Sequence, residues 1–477
     1  MIFFPRSKLL CGLLLLGFGA RVLGAVSPVH SDWGPFHARW TDVNQNERQK
    51  SLGPVYERIE TPEGWHFGAV RPLLASWDHA GDEVHRREIL WPVARQSFRG
   101  EEHNWRFLLA FGLNRDVADP ESRYRVWVLP FYFQGRDKHG ETYLAVFPFG
   151  GSIHEFLLWD EVSFTLFPLY VRSRAKDIEA ESWIWPVFSK TDGPGIRRRR
   201  VFPFYGYSER EGFGRKEFIL WPFWTSVEYT HPKMEGSGWI LFPVTGHLKT
   251  PDQESWWILP PFFRYHVGEE KNRIFGPWPF VQISEGATDK FYLWPLYGRK
   301  TIGDTRRDFF LWPIGSHETH RGSYTHKTRT FVVPVYQSFQ ESDPATGEIL
   351  RDYTKVWPLF SHSYHHEGPA RRTVFPDLNP FREGPIERNW APFWQLYRRE
   401  QVGEAVDTEV LWGIYRSIKR EEFQYRSLFP LLNVERGEDH RSVNLLKGLL
   451  GWHREPGNNQ LRLLYFFRFG GRSPDEL

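Results

Sequence analysis

The stretch Lys290–Ser316 reads KFYLWPLYGRKTIGDTRRDFFLWPIGS and holds two copies of one phrase, Leu-Trp-Pro followed by an aliphatic residue, centred on Pro295 and Pro313. The flanking Phe, Tyr, Leu and Trp are strand formers. Proline removes a ladder donor and is confined to edges, bends and bulges of sheets. A strand-breaker placed twice in the most strand-like phrase therefore implies a geometric role. Between the copies, Thr-Ile-Gly-Asp-Thr is a turn signal around Gly303. Arg299 and Lys300 then fall opposite Arg307 and Asp308, as in an antiparallel hairpin.

Working outward, the slot recurs at Pro92, Pro130, Pro148, Pro168, Pro186, Pro203, Pro222, Pro243, Pro260, Pro279, Pro334, Pro358, Pro376, Pro392 and Pro430. Gly112 and Gly413 bisect the two double-length gaps; Pro35, Pro54 and Pro72 extend the series upstream, and Gly451 and Gly470 downstream. Self-similarity of about 24 units of ~19 residues marks a repeat architecture. The slot takes Pro or Gly, residues that share only an effect on backbone geometry, so it marks a bend or corner. Polar turn signals lie midway between slots, as in RDKHGE, EREGFG and SDPATGE.

These features define an all-β tandem repeat of antiparallel hairpin or strand units with a Pro/Gly corner, filling residues 26–477 as a single domain. Two architectures stay open: stacked or radiating hairpins whose polar tips share one side, or a large up-and-down β-barrel with strands kinked at proline. FILWPFW (residues 218–224) is apolar on both faces and calls for burial on both sides. LRLLYFFRFGG reads as one alternating strand, with Arg462 and Arg468 opposite the apolar face, and SVNLLKGLLGWH as a short helix.

The N-terminus carries Arg6 and Lys8, an apolar run from Leu9 to Ala20, then Gly24 and Ala25, the layout of a signal peptide over residues 1–25. An uncleaved anchor is the alternative. The only cysteine, Cys11, lies inside this segment, so disulfides do not hold the exported chain together. Localisation in the periplasm, outer membrane or cell surface follows. A net charge of +3 over 477 residues lacks the basic excess of a nucleic-acid binder.

Histidines cluster near tips. His317 and His320, with His362, His365 and His366, have spacings that can ligate zinc or copper, although solvated hairpin tips also tolerate histidine. Arg197, Arg198, Arg199 and Arg200 offer bidentate donors to phosphates or acidic glycans, but alternate strand residues face opposite ways. Tryptophans before the slot (Trp91, Trp185, Trp221, Trp294, Trp312, Trp357) read as packing residues. Trp256 and Trp257 are the better candidates for an exposed glycan platform. No catalytic motif or cofactor fingerprint appears; any enzyme site would sit in an irregular unit, between Pro334 and Pro358 or between Pro148 and Pro168.

The sequence thus points to an exported, non-enzymatic β-repeat protein of the cell envelope, acting as a structural or binding scaffold. An outer-membrane barrel serving as pore, transporter or assembly partner is the alternative, and a glycan-active enzyme the third reading. Envelope components, outer-membrane lipid and glycans are the partner classes these readings carry. Nucleic acid is not among them.

Overall fold

Pro313 sits in a four-residue corner, 311–314, that reverses the chain between the strands Thr305–Phe310 and Gly315–Arg321. Pro295 sits in a three-residue corner, 294–296, between Asp289–Leu293 and Tyr297–Ile302. Both X-Pro bonds are cis. In the longer corner Leu311 adopts left-handed backbone (φ 45°), and Leu166, Ile184 and Leu220 do the same at their corners (φ 45°, 47° and 48°). Where glycine fills the slot, Leu411, Trp412 and Gly413 run through three successive positive φ values (49°, 55°, 101°). Proline and glycine are therefore two solutions to one task, reversing the chain within four residues or fewer.

The computed structural model describes residues 27–470, apart from Ala80, Asp82, Lys233, Glu270, Glu367, Phe375, Arg382, Glu383 and the side chain of Lys271. The segment read as a signal peptide, with Cys11, lies outside the described residues. Within them, 46 strands form one sheet in which each strand pairs antiparallel with its chain neighbours. Odd-to-even connections are corners and even-to-odd connections are tips, so corners line one edge of a long ribbon and tips the other. Across the tip at Gly303, Arg299 pairs with Asp308 and Lys300 with Arg307, in the predicted register.

Of the two architectures, the hairpin array is the one observed. Among the described residues the first strand, Val29–Asp32, pairs only with His37–Thr41, and the last, Phe467–Phe469, only with Asn458–Leu463, so the sheet they form is not closed into a barrel. Several finer expectations change. The terminal phrase is two strands, with a corner at 464–466 that makes Arg462 and Arg468 cross-strand neighbours. The expected helix is strand Arg441–Leu445, a corner at Leu446–Gly448 and strand Leu450–Glu455, because Leu446 and Lys447 take positive φ there (48° and 56°). That corner uses Gly448 rather than Gly451, and the one between Pro92 and Pro130 lies at 108–109 rather than at Gly112. Pro376 and Pro392 belong to one excursion, 375–396, which carries the short helix Gly384–Asn389. The apolar corners are not buried: Trp185, Trp221 and Trp312 are 48%, 52% and 53% exposed, because their phrases cap an edge instead of crossing a core.

Residues opposite each other in the ladder share a face, and the register carries one face from end to end. Over its early strands this face forms a core of Trp127, Phe133, Tyr143, Ala145, Ile153 and Phe164. At the ribbon's two ends it is buried against itself. Ala38 and Trp40 meet Ile418, Phe423 and Tyr425, and Gly34 (φ +58°) lies beneath the Phe429 ring. A Cβ on Gly34 would stand 2.4 Å from Phe429 Cγ, and its backbone is one that other residues adopt only at a cost.

Gly34→Ala is expected to cost about 1–3 kcal/mol of seam stability. Hydrogen exchange should accelerate in His37–Thr41 and Leu432–Arg436 and stay unchanged in mid-ribbon. Unaltered exchange at both ends would contradict the close packing.

Candidate functional site

Two regions of the shared face gather charge, and they differ in balance. The first is the seam between the ribbon's ends. Arg48 bonds to Asp42 (2.6 Å) and lies 3.4 Å from Glu400; Lys50 bonds to Glu409 (2.5 Å), and Arg416 to Asp32 (3.0 Å). Glu400 also receives Arg371 (2.8 Å) and Arg398 (2.6 Å). The helix Gly384–Asn389 closes one side: Glu88, fully buried, accepts from Arg388 (3.0 Å) and Asn389 (2.6 Å). A cavity of about 230 Å³ lies between Arg48, Glu57, Arg71, Arg371, Arg388 and Arg398.

Burial alone would raise the Glu400 and Glu409 pKa values, but nearby cations outweigh it. Arg398, Arg48 and Arg371 hold Glu400 well below the usual carboxylate range, and Lys50 and Arg416 bring Glu409 down to about 2. Both groups thus stay ionised, and removing one partner of such a buried cluster costs far more than a surface pair contributes.

The second region is the same face over the strands between Phe188–Gly193 and His326–Val332, and it is not balanced. The two central rows carry Arg198, Arg200, Lys216, Arg264, Arg273, Lys290, Lys300, Arg307 and Arg329. The only carboxylate in those rows is Glu318, which pairs with Arg307 at 3.0 Å. Hydroxyls and small residues fill the gaps: Ser189, Thr191 and Ser208 lie around the Arg198–Arg200 end, where a cavity of about 280 Å³ opens. Gly298 is needed where the Phe309 ring crosses it, since a Cβ there would sit 2.0 Å from that ring.

Burial first, and neighbouring cations second, disfavour the charged forms of two members. Burial lowers the Arg264 pKa and Arg273 lowers it further; burial lowers that of Lys290, and Lys300 and Arg273 add to the fall. Aromatic faces take up part of the charge: Arg264 lies over Trp257 (4.9 Å) and Lys290 over Tyr292 (4.3 Å).

The expected site residues divide along these faces. Arg198 and Arg200 belong to the basic face, while Arg197 and Arg199 point to the other side, where Arg199 pairs with Asp192 (2.8 Å). Trp256 and Trp257 also diverge: Trp256 stacks on His247 (3.9 Å) on the opposite face, so they form no common platform. His317 bonds to Thr330 (2.9 Å), His320 to Thr305 (2.8 Å), and His366 pairs with Glu348 (2.8 Å). His362 pairs in register with Thr354 and Arg372, and His365 with Arg351, so neighbouring histidines alternate between faces rather than converge.

One group that the sequence did not suggest is Asp137, Glu141 and His154, whose ligating atoms lie within 4.8 Å of one another. Asp137 Oδ1 accepts the His139 and Glu141 amides (2.8 and 3.0 Å), and its Oδ2 bonds to His154 Nδ1 (2.8 Å). With both oxygens engaged, the group locks a tip. Of the two irregular units, one is held by local contacts, with Asp343 accepting the amides of Ala345 and Thr346, and the other carries Leu157 and Leu158 as an exposed apolar tip. The chain matches no protein-family model and no curated protein.

Glu400→Gln removes the carboxylate shared by Arg371 and Arg398 and one of those facing Arg48, and is expected to destabilise the seam by about 3–5 kcal/mol. A carboxylate with a depressed folded pKa contributes stability that is complete above its unfolded value of ~4.3 and is lost below it. Seam protection should hold down to about pH 5 and fall progressively toward pH 2, followed by hydrogen exchange. Loss of protection on raising the pH through neutrality instead would contradict the assignment.

Proposed function

We propose that this protein is an exported, non-enzymatic scaffold of the cell envelope whose basic face holds an anionic envelope polymer of the acidic-glycan class. The observation that carries the reading is the nine-to-one excess of cations over carboxylates in the two central rows between residues 188 and 332. The net charge of the whole chain is only +3, so this face concentrates a charge that is compensated elsewhere. A row of guanidinium and ammonium groups interleaved with hydroxyls and aromatic faces suits a repeating, acidic, hydroxyl-rich chain. Export rests on the basic, apolar and small-residue order of residues 1–25.

The mature chain is expected to bind polygalacturonate and heparin fragments with an affinity that falls steeply with salt. Replacing Arg273, Lys290 and Lys300 together by Gln should weaken binding at least tenfold (~1.4 kcal/mol) while leaving unfolding unchanged. Equal binding by the triple variant, or tighter binding to duplex DNA than to either polyanion, would reject the ligand class. Separately, deleting residues 1–25 should retain the protein in the cytoplasm; retention of the intact chain there would reject export.

A further inference from the structure

The four-residue corners keep their backbone donors engaged while leaving their apolar side chains uncovered. At residues 311–314 every backbone donor is engaged: Leu311 N–H bonds to Leu296 O (2.8 Å), Trp312 N–H to Pro295 O (2.7 Å) and Ile314 N–H to Leu311 O (2.8 Å). Pro313 has no donor to satisfy. Corners 166–169, 184–187 and 220–223 repeat the scheme, each bonding back to the corner before it. The side chains, by contrast, are left uncovered. The residue after proline is exposed in corner after corner, from Phe149 (67%) through Phe204 and Phe223 to Leu296 and Ile314.

The face opposite the basic one grades away from this edge. From corner to tip, Leu241, Trp239 and Ser237 follow one another on one strand and Ile258, Trp256 and Glu254 on another, while Ile219, Glu217 and Arg215, and Phe310, Asp308 and Arg306, pass directly from apolar to charged. Apolar, then aromatic, then polar is the order across a membrane–water interface. At those four corners every N–H is engaged, while carbonyls such as those of Trp312 and Pro313 accept no backbone bond among the described residues, which suits the hydrated interfacial layer and not the hydrocarbon core.

We propose that the corner edge rests in the interfacial layer of a lipid leaflet, with the ribbon standing on the membrane and its tips in water. The apolar layer is one turn and one residue deep, which fits the ~5–10 Å burial of interfacial elements rather than a span. Its length also favours a leaflet over a protein partner. At ~4.8 Å per strand, 46 strands give the edge a contour of ~220 Å, curved as the ribbon returns on itself, whereas a standard protein interface of ~800 Å² per partner is a patch only ~30 Å across. The accessible surface is likewise 31398 Å², against roughly 19,000 Å² for a compact monomer of 56.6 kDa.

The test is flotation of the mature chain with phosphatidylcholine vesicles in 0.5 M salt, conditions that silence the basic face so that the outcome is independent of polyanion binding. The expected result is co-flotation, reduced at least tenfold in the variant Phe204→Ser/Phe223→Ser/Leu296→Ser/Ile314→Ser. Residues 26–477 contain no cysteine, so a single spin label at Ile314→Cys or Asp304→Cys reports depth without the fourfold variant. Contact with oxygen in the bilayer at residue 314, and with aqueous nickel at 304, supports the proposal. Absence of flotation, or equal aqueous contact at both positions, overturns it. Self-association that disappears in the fourfold variant without vesicle binding also overturns it, in favour of a second copy.

Discussion

The fold depends on the hydrogen bond that one corner gives to the corner before it. Trp312 N–H donates to Pro295 O, Trp221 N–H to Pro203 O and Trp185 N–H to Pro168 O. These bonds extend the ladder through the turns, so the edge is as continuous as the strands it joins. A proline that would break a central strand instead ends one, supplies an acceptor to its successor and exposes no amide. The aromatic residue before it then meets its counterpart one unit on, as in Trp294 and Trp312 at 5.7 Å.

The repeat, the all-β class and most slot and tip positions were legible in the sequence because each has a local chemical signature; that the slot reverses the chain was not. Face assignment was not. In a three-residue corner the shared face lies three residues before proline, as Tyr292 does before Pro295; in a four-residue corner it lies four before, as Phe309 does before Pro313. That single extra residue swaps the faces of a strand, and it is marked only by a leucine or, at Ile184, an isoleucine in left-handed backbone. Without it the nine cations of the basic face scatter among the paired charges of the other. The divergence of Trp256 and Trp257, and of Arg198 and Arg199, was by contrast implicit in strand alternation.

The exposed tryptophans mark a second limit. An aromatic residue at a repeated position normally packs inside, and sequence periodicity reports the repetition without the depth. Depth is set by the corner, which turns the chain before those side chains can be covered. The seam was illegible for another reason: Arg48 and Glu400 are separated by most of the chain, and only the return of the ribbon on itself brings them together. Charge is therefore balanced where the face is buried and left in surplus where it is open. A buried imbalance would cost several kcal/mol per ion.

Residue-resolved hydrogen exchange at the corners tests this account most directly. The Leu311, Trp312 and Ile314 amides should exchange as slowly as those of the strand Thr305–Phe310, and far more slowly than the tip amides of Gly303 and Asp304. Corner amides that exchange as fast as the tips would mean that the edge is a row of open turns, and the continuity from which the fold and its apolar rim derive would be absent.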